Sequence, residues 1–279
     1  MRIGILLAGL ALAAAALFGW WHANALADPV FRRITVPVAD WPAGARPVTV
    51  ALMSDIHLGN SAMGTARLRR IVGQVNAHRP DLVAIVGDFV AEHDPAIAQQ
   101  AARDLVGPLS ALSAPLGVVA TLGNHDQSVP GAIRAGLRRA GVTVLDNEAV
   151  RRGPLAIAGV GDAFSGHDDI ARTVAALRGI AGAKLVVTHS PDVSPGLPPG
   201  FGLVLAGHTH CGQVVLPVTG PPKTFWKPGY GCGIVRRGGR TTVVSAGLGT
   251  SQLPLRWRAP PDIWLVTIGP ARSLSRSRP

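Results

Sequence analysis

Leu116-Gly117-Val118-Val119-Ala120-Thr121-Leu122-Gly123-Asn124-His125-Asp126 is an uncharged, mostly apolar run that empties into a polar turn. Bounded in this way, the run reads as a short strand buried on both faces. The turn sets a carboxamide, an imidazole and a carboxylate side by side, where α/β proteins place their chemistry. Alone, such a turn is ordinary: Gly-Asn is common in turns, and a His beside an Asp is often only a hydrogen-bonded surface pair. Its meaning depends on what the other strands end in.

The same pattern recurs along the chain. Val48 to Met53 ends in Ser54-Asp55-Ile56-His57, and Thr65 to Ala77 then carries Leu68, Ile71, Val72 and Val75 at helical spacing. Leu82 to Val86 ends in Gly87-Asp88 and precedes a helical stretch over 95–109; the opening run precedes a helix near 130–140. Later come Leu155 to Val160, Lys184 to Thr188 ending at His189, and Gly202 to Ala206 ending in Gly207-His208-Thr209-His210. Candidate strands at 213–216, 241–245 and 263–268 follow with only loops between them, which suggests a second sheet face. Buried strands separated by helices predict an α/β layered core.

With 279 residues and 47% hydrophobic content, the chain can bury one large domain. The charge of +11 is carried mostly by arginine, with lysine only at 184, 223 and 227. The arginines are scattered without a dense run, so no nucleic-acid partner is expected; attraction to anionic lipid or a phosphorylated substrate fits better. Arg2 precedes an uncharged stretch from Ile3 to Trp21, close to the roughly 20 residues that span a bilayer. Ala25-Leu26-Ala27 resembles a signal-peptidase site. The run is longer than a signal-peptide core, however, and Trp20 and Trp21 close it as headgroup-layer residues do. Residues 1–27 are therefore expected to form a single-pass anchor or signal segment in the cell inner membrane, with the side occupied by the domain left open. Residues 28–47, with four prolines, read as a linker or extended lead-in, 48–269 as the domain, and 270–279 as a disordered basic tail.

Collected, the strand ends present Asp55, His57, Asp88, Asn124, His125, His189, His208 and His210. In an α/β sheet the carboxyl ends of the strands share one edge, so these residues are expected to converge. Oxygen and imidazole donors with no thiolate suit Mn²⁺, Zn²⁺ or Fe. Each position alone has a plainer reading, as a turn residue, a helix cap or a loop histidine; five clusters at five strand ends do not.

Asp55-x-His57, Gly87-Asp88, Gly123-Asn124-His125-Asp126, His189 and Gly207-His208-Thr209-His210 resemble the five ordered blocks of the calcineurin-like metallophosphoesterase superfamily. Thr188-His189-Ser190-Pro191-Asp192, Gly212-Gln213-Val214 and Pro254-Leu255-Arg256 are similar to its bacterial membrane-anchored branch, which includes envelope phosphodiesterases and a UDP-2,3-diacylglucosamine pyrophosphatase. The resemblance implies an αββα sandwich of two mixed sheets flanked by helices. It implies two divalent ions, Mn²⁺ first and Zn²⁺ or Fe as alternatives. Asp55, His57, Asp88 and His210 would hold one ion and Asp88, Asn124, His189 and His208 the other, with Asp88 shared. A hydroxide between the ions would attack a phosphodiester or pyrophosphate in line. His125 would protonate the leaving oxygen, with Asp126 holding its ring and raising its pKa. The substrate would be a phosphorylated small molecule or a lipid- or nucleotide-linked ester at the membrane. The specific lipid A pyrophosphatase and a non-catalytic scaffold of the same fold are the alternatives.

Cys211 stands where the branch commonly has Gly. With Cys232 it is read first as a plain structural residue, the choices being a disulfide, a reduced neighbouring pair or an occasional soft ligand. Lys223 to Tyr230, basic and aromatic, is either a partly buried loop or a cap or membrane contact beside the site. His167, Asp168 and Asp169 are read as a loop entering a helix, and His22, His78 and His93 as solvated.

Overall fold

The computed structural model of the chain describes residues 2–91, 94–221 and 225–271. Most of the tail expected to be disordered, together with Lys223, Thr224 and His93, lies outside the described residues.

Two six-stranded mixed sheets face one another. The first is built from β1 (Val30–Val38), β2 (Val48–Ser54), β3 (Leu82–Val86), β4 (Val118–Thr121) and β5 (Val142–Val144). The second takes β6 (Glu148–Arg152), β7 (Leu155–Val160), β8 (Ala183–Thr188), β9 (Leu203–Ala206), β10 (Gly233–Arg237) and β11 (Arg240–Val244). The last strand, β12 (Asp262–Pro270), returns to the first sheet between β1 and β2, running antiparallel to β2. β2 to β5 are parallel neighbours, as are β7, β8, β9 and β11.

The alternation of side chains along a strand makes the layers. In β2, Val50 and Leu52 face the second sheet and meet Leu155, Ile157, Leu185, Val187, Leu203 and Leu205 in one buried cluster. Ala51 and Met53 face outward onto helices α2 (Thr65–Ala77), α3 (Pro95–Asp104), α4 (Val106–Leu109) and α5 (Pro130–Arg139). Ala156, Ala158 and Val186 on the far face of the second sheet pack with Val174 of α6 (Ile170–Ala176). The result is helix, sheet, sheet, helix, as the resemblance implied. α3 starts where Asp94 accepts from the amides of Ala96 and Ile97, with Pro95 at the first helical position. Asp169 caps α6 in the same way, in keeping with its reading as a helix entry.

Of the two readings of 28–47, a linker or an extended lead-in, the chain takes the extended form: Val30–Val38 runs in register beside Asp262–Pro270 and closes that edge of the sheet. Two readings change. The strand expected at 213–216 is reduced to two isolated bridges, Val214 with Trp257 and Leu216 with Gly220, and Gln213 takes a positive φ of 55° that leaves the strand conformation. Finally, β6 and β10 were not foreseen. Both are edge strands with exposed, arginine-bearing patterns, which lack the apolar run that identifies an inner strand.

The N-terminal helix α1 runs Arg2–Leu26, outside both sheets, and is long and apolar enough to cross a membrane. Its last turns touch the domain. Trp21 stacks on Trp257 at 5.2 Å, the Arg256 amide donates to the Trp21 carbonyl at 3.0 Å, and His22 Nδ1 meets the Pro254 carbonyl at 2.9 Å. His22 is therefore a contact residue rather than a solvated one.

Candidate metal centre

The carboxyl ends of β2, β3, β4, β8 and β9 meet along one edge, and the two sheets lean their polar ends together there. His57 Nε2 lies 3.1 Å from His210 Nε2, and His210 Nε2 lies 3.5 Å from Asp55 Oδ1. Beside them, Asp88 Oδ2 sits between two imidazoles, 3.5 Å from His57 Nε2 and 3.4 Å from His189 Nε2. His189 Nε2 is in turn 3.2 Å from both Asn124 Oδ1 and His208 Nδ1. Every residue expected at the metals is thus in one connected cluster, with Asp88 in the middle.

The backbone is bent to achieve this. Asp55, His57, Asp88, His208 and His210 all have φ between 49° and 70°, a left-handed conformation costing non-glycine residues about 1–3 kcal/mol each. Such a concentration of strain persists only where the surroundings over-determine it. Two glycines make the close approach possible. A Cβ on Gly123 would overlap Asp88, and one on Gly207 would overlap Ser54 and Asp55.

Burial and neighbouring charges set the protonation. Burial holds His57 down at about 3 and His208 at about 4, and pushes His210 well below the imidazole range. These three rings are neutral at pH 7, the form that binds metal. Burial alone would raise Asp88, but His189 and His57 beside it hold it well below the carboxylate range. Burial likewise opposes the charge on His189, and the Asp88 carboxylate overcomes it, raising that ring well above the usual value. Asp55 rises to about 6 through burial, opposed by His189.

The donor chemistry fits divalent ions. Asp55, His57 and His210 offer donor atoms within 4.8 Å of one another; so do Asp55, Asp88 and His189, and so do His57, Asp88 and His125. Nδ1 of His57 and Nε2 of His208 are buried without a hydrogen-bond partner among the described residues. Neutral imidazoles and carboxylates around a common point are the ligand set of a hard or borderline dication.

Two assignments shift. Asp126 does not hold the ring of His125: its oxygens accept from the amides of Gly123 at 2.9 Å, Phe89 at 2.8 Å and Val90 at 3.4 Å. It pins the β4 turn against the β3 turn, and burial, reinforced by Asp88, raises it to about 7. The His125 ring is oriented by the Ala91 carbonyl, 3.0 Å from Nδ1, and stands perpendicular to the His57 ring at 4.7 Å. Cys211 and Cys232 form a disulfide directly after His210.

Arg256 was noted in the sequence only as part of a shared motif. It is fully buried; its guanidinium donates to the carbonyls of Ala246, Gly247, Gly249 and Ala259, and Nη2 lies 3.4 Å from His210 Nδ1. Ser54, at the end of β2, donates its hydroxyl to Asp55. Nothing in the spacing singles out either residue.

The sequence pattern of the family described as Calcineurin-like phosphoesterase matches residues 48–212. An uncharacterized metallophosphoesterase of Bacillus subtilis, YkuE, is 32% identical over 241 residues, covering 81% of each chain. A transmembrane protein with metallophosphoesterase domain from Danio rerio is 30% identical over 256 residues, 84% of this chain and 56% of that one, so this chain spans little more than half of that relative. Among solved structures, the nuclease MPE of Pseudomonas putida aligns over 77% of this chain and 86% of its own, at 21% identity and a TM-score of 0.37.

Proposed function

The chain belongs to the calcineurin-like phosphoesterases, a dinuclear-metal family, and from that premise we propose that it is a membrane-anchored phosphodiesterase or pyrophosphatase acting outside the cytoplasm. The observation that carries this is the connected cluster of Asp55, His57, Asp88, Asn124, His189, His208 and His210 where the two sheets meet, with Asp55, His57, Asp88, His208 and His210 on left-handed backbone. Asp55, His57 and His210 would hold one ion, Asn124, His189 and His208 the other, and Asp88 both; Mn²⁺ is the first choice. When bound, two such ions supply Lewis-acid charge that offsets the phosphoryl oxygens and acidifies water.

The chain's own residues do the rest. Asp88 is fixed by the His125 amide at 2.9 Å on one oxygen and faces the imidazoles with the other. His125 lines the pocket with its Nδ1 turned to the Ala91 carbonyl, and in this reading its Nε2 gives a proton to the leaving oxygen. Asp126 serves by pinning the turn that carries Asn124 and His125.

The disulfide beside His210 favours an oxidising compartment, since cytosolic thiols are kept reduced. With the anchor, that points to an envelope substrate bearing a phosphodiester or pyrophosphate rather than to the cytoplasmic UDP-2,3-diacylglucosamine pyrophosphatase step. No ligand position is missing, which is the argument against a non-catalytic scaffold. A panel of bis-p-nitrophenyl phosphate, p-nitrophenyl phosphate and nucleotide-diphosphate esters on Mn²⁺-loaded protein tests the reading. Diesters or pyrophosphates should be hydrolysed, and a protein that turned over only the monoester would refute it.

A further inference from the structure

Asp88, Asn124, His125, His208 and His210 form the polar floor of a pocket of about 570 Å³ whose other walls are mostly apolar. Phe164 begins the wall directly at the floor, its ring 4.6 Å from that of His208 and 6.3 Å from that of Phe225. Trp226, Leu253 and Leu255 continue it. Phe164, Phe225 and Leu253 are 51%, 53% and 60% exposed, large apolar surfaces that the fold leaves uncovered beside a centre for charged groups.

One segment, residues 251–258, is both a wall of this pocket and the seat of the N-terminal helix. On the pocket side Gln213 clamps it: its Nε2 donates to the carbonyls of Ser251 at 3.1 Å and Leu253 at 2.9 Å, and its Oε1 accepts from the Ser251 amide at 2.8 Å. On the other side Trp257 stacks on Trp21 and lies edge-on to Trp20 at 6.4 Å. The apolar rim is therefore separated from the end of a membrane-length helix by the thickness of one chain segment. The tryptophans at that end mark the depth of the headgroup layer.

We infer that Phe164, Phe225, Trp226, Leu253 and Leu255 form a subsite for the hydrocarbon chain of an amphipathic phosphoester drawn from the bilayer that holds the helix. The inference rests on the phosphoesterase reading and adds the substrate's apolar part. A chain entering over Leu253 runs along the aromatic wall and delivers its phosphate to the floor. The 251–258 segment, clamped between Gln213 and Trp21, keeps the wall at a fixed distance from the metal ligands.

A chain-length series separates the subsite from the chemistry. The substrates are p-nitrophenyl methyl, butyl and octyl phosphates. In each, the oxygen of water joins phosphorus, the bond to the p-nitrophenolate oxygen breaks, and the alkyl phosphate remains, so reactivity is held constant. They are assayed on Mn²⁺-loaded full-length protein at one detergent concentration. A fully buried methylene is worth up to about fourfold, so kcat/KM should rise by about tenfold or more from methyl to octyl. In Leu253→Ser and Phe225→Ser variants the octyl to methyl ratio should fall toward one. Turnover of all three esters with a flat series overturns the subsite and leaves the phosphoesterase reading intact. Binding of methyl and octyl phosphate, followed by calorimetry, is the second arm. If no ester is hydrolysed but octyl phosphate binds about tenfold tighter, the phosphoesterase reading falls and the subsite stands; equal binding overturns the subsite.

Discussion

The two sides of the 251–258 segment are held by different forces. On the metal side Arg256 is wholly buried, its guanidinium shared among four backbone carbonyls and set against His210, and the neighbouring ligands occupy strained backbone. On the helix side the contacts are a tryptophan stack and two backbone-carbonyl hydrogen bonds. The first region is dominated by charge and desolvation, so single changes there should be costly. Contact between apolar surfaces dominates the second, where losses should be graded.

Asp88→Asn offers the sharpest contrast. Removing the shared carboxylate should abolish turnover and lower metal content; equal activity in the variant would break the comparison at its strongest point. His125→Gln should keep both ions while kcat drops by about 10²–10⁴-fold, read from metal analysis alongside steady-state rates. Arg256→Met leaves buried carbonyls without a donor. A loss of about 3–5 kcal/mol in denaturant unfolding is expected, whereas a loss under 1 kcal/mol would show that the buried charge is dispensable.

A fourth expectation concerns protons. His189 is raised, so it is protonated at pH 7 in the metal-free protein. Its stabilising effect is complete below the unfolded pKa near 6.5 and is lost as pH rises through the higher folded value. His57, His208 and His210 are depressed and already neutral. Metal loading at pH 7 should therefore release at least one proton per chain, measured by calorimetry in buffers of different ionisation enthalpy, and His189→Asn should lower the release. The smallest effect belongs to the helix side. Trp257→Ala should cost about 0.5–1.5 kcal/mol of stacking, seen as looser protease protection of the 20–28 region, with turnover of a water-soluble diester little changed.

The layered fold was legible because inner strands buried on both faces must be continuously apolar, and β2, β3, β4, β8 and β9 are. The clustering of the carboxylates and imidazoles was legible for the same reason, each group following such a run closely. What was not legible depends on contacts between distant segments. β6 and β10 carry arginines because an edge strand needs only one apolar side. The role of Asp126 turns on amides of the β3 turn, thirty-seven residues away for Phe89, and that of Arg256 on carbonyls made available by a loop whose path no local pattern encodes. The pairing of Cys211 with Cys232 was one of three open choices until the loops were placed.

Where the two sheets meet, the residues around Asp88 are proposed to hold two ions for phosphoester hydrolysis. Metal analysis of purified full-length protein, paired with turnover of a diester whose leaving group is an alkoxide on the same sample and on His125→Gln, decides between two outcomes. Two equivalents of divalent metal in both proteins, with kcat lowered by about 10²–10⁴-fold only in the variant, is the predicted result. Hydrolysis by metal-free protein, or undiminished hydrolysis by His125→Gln, would contradict it.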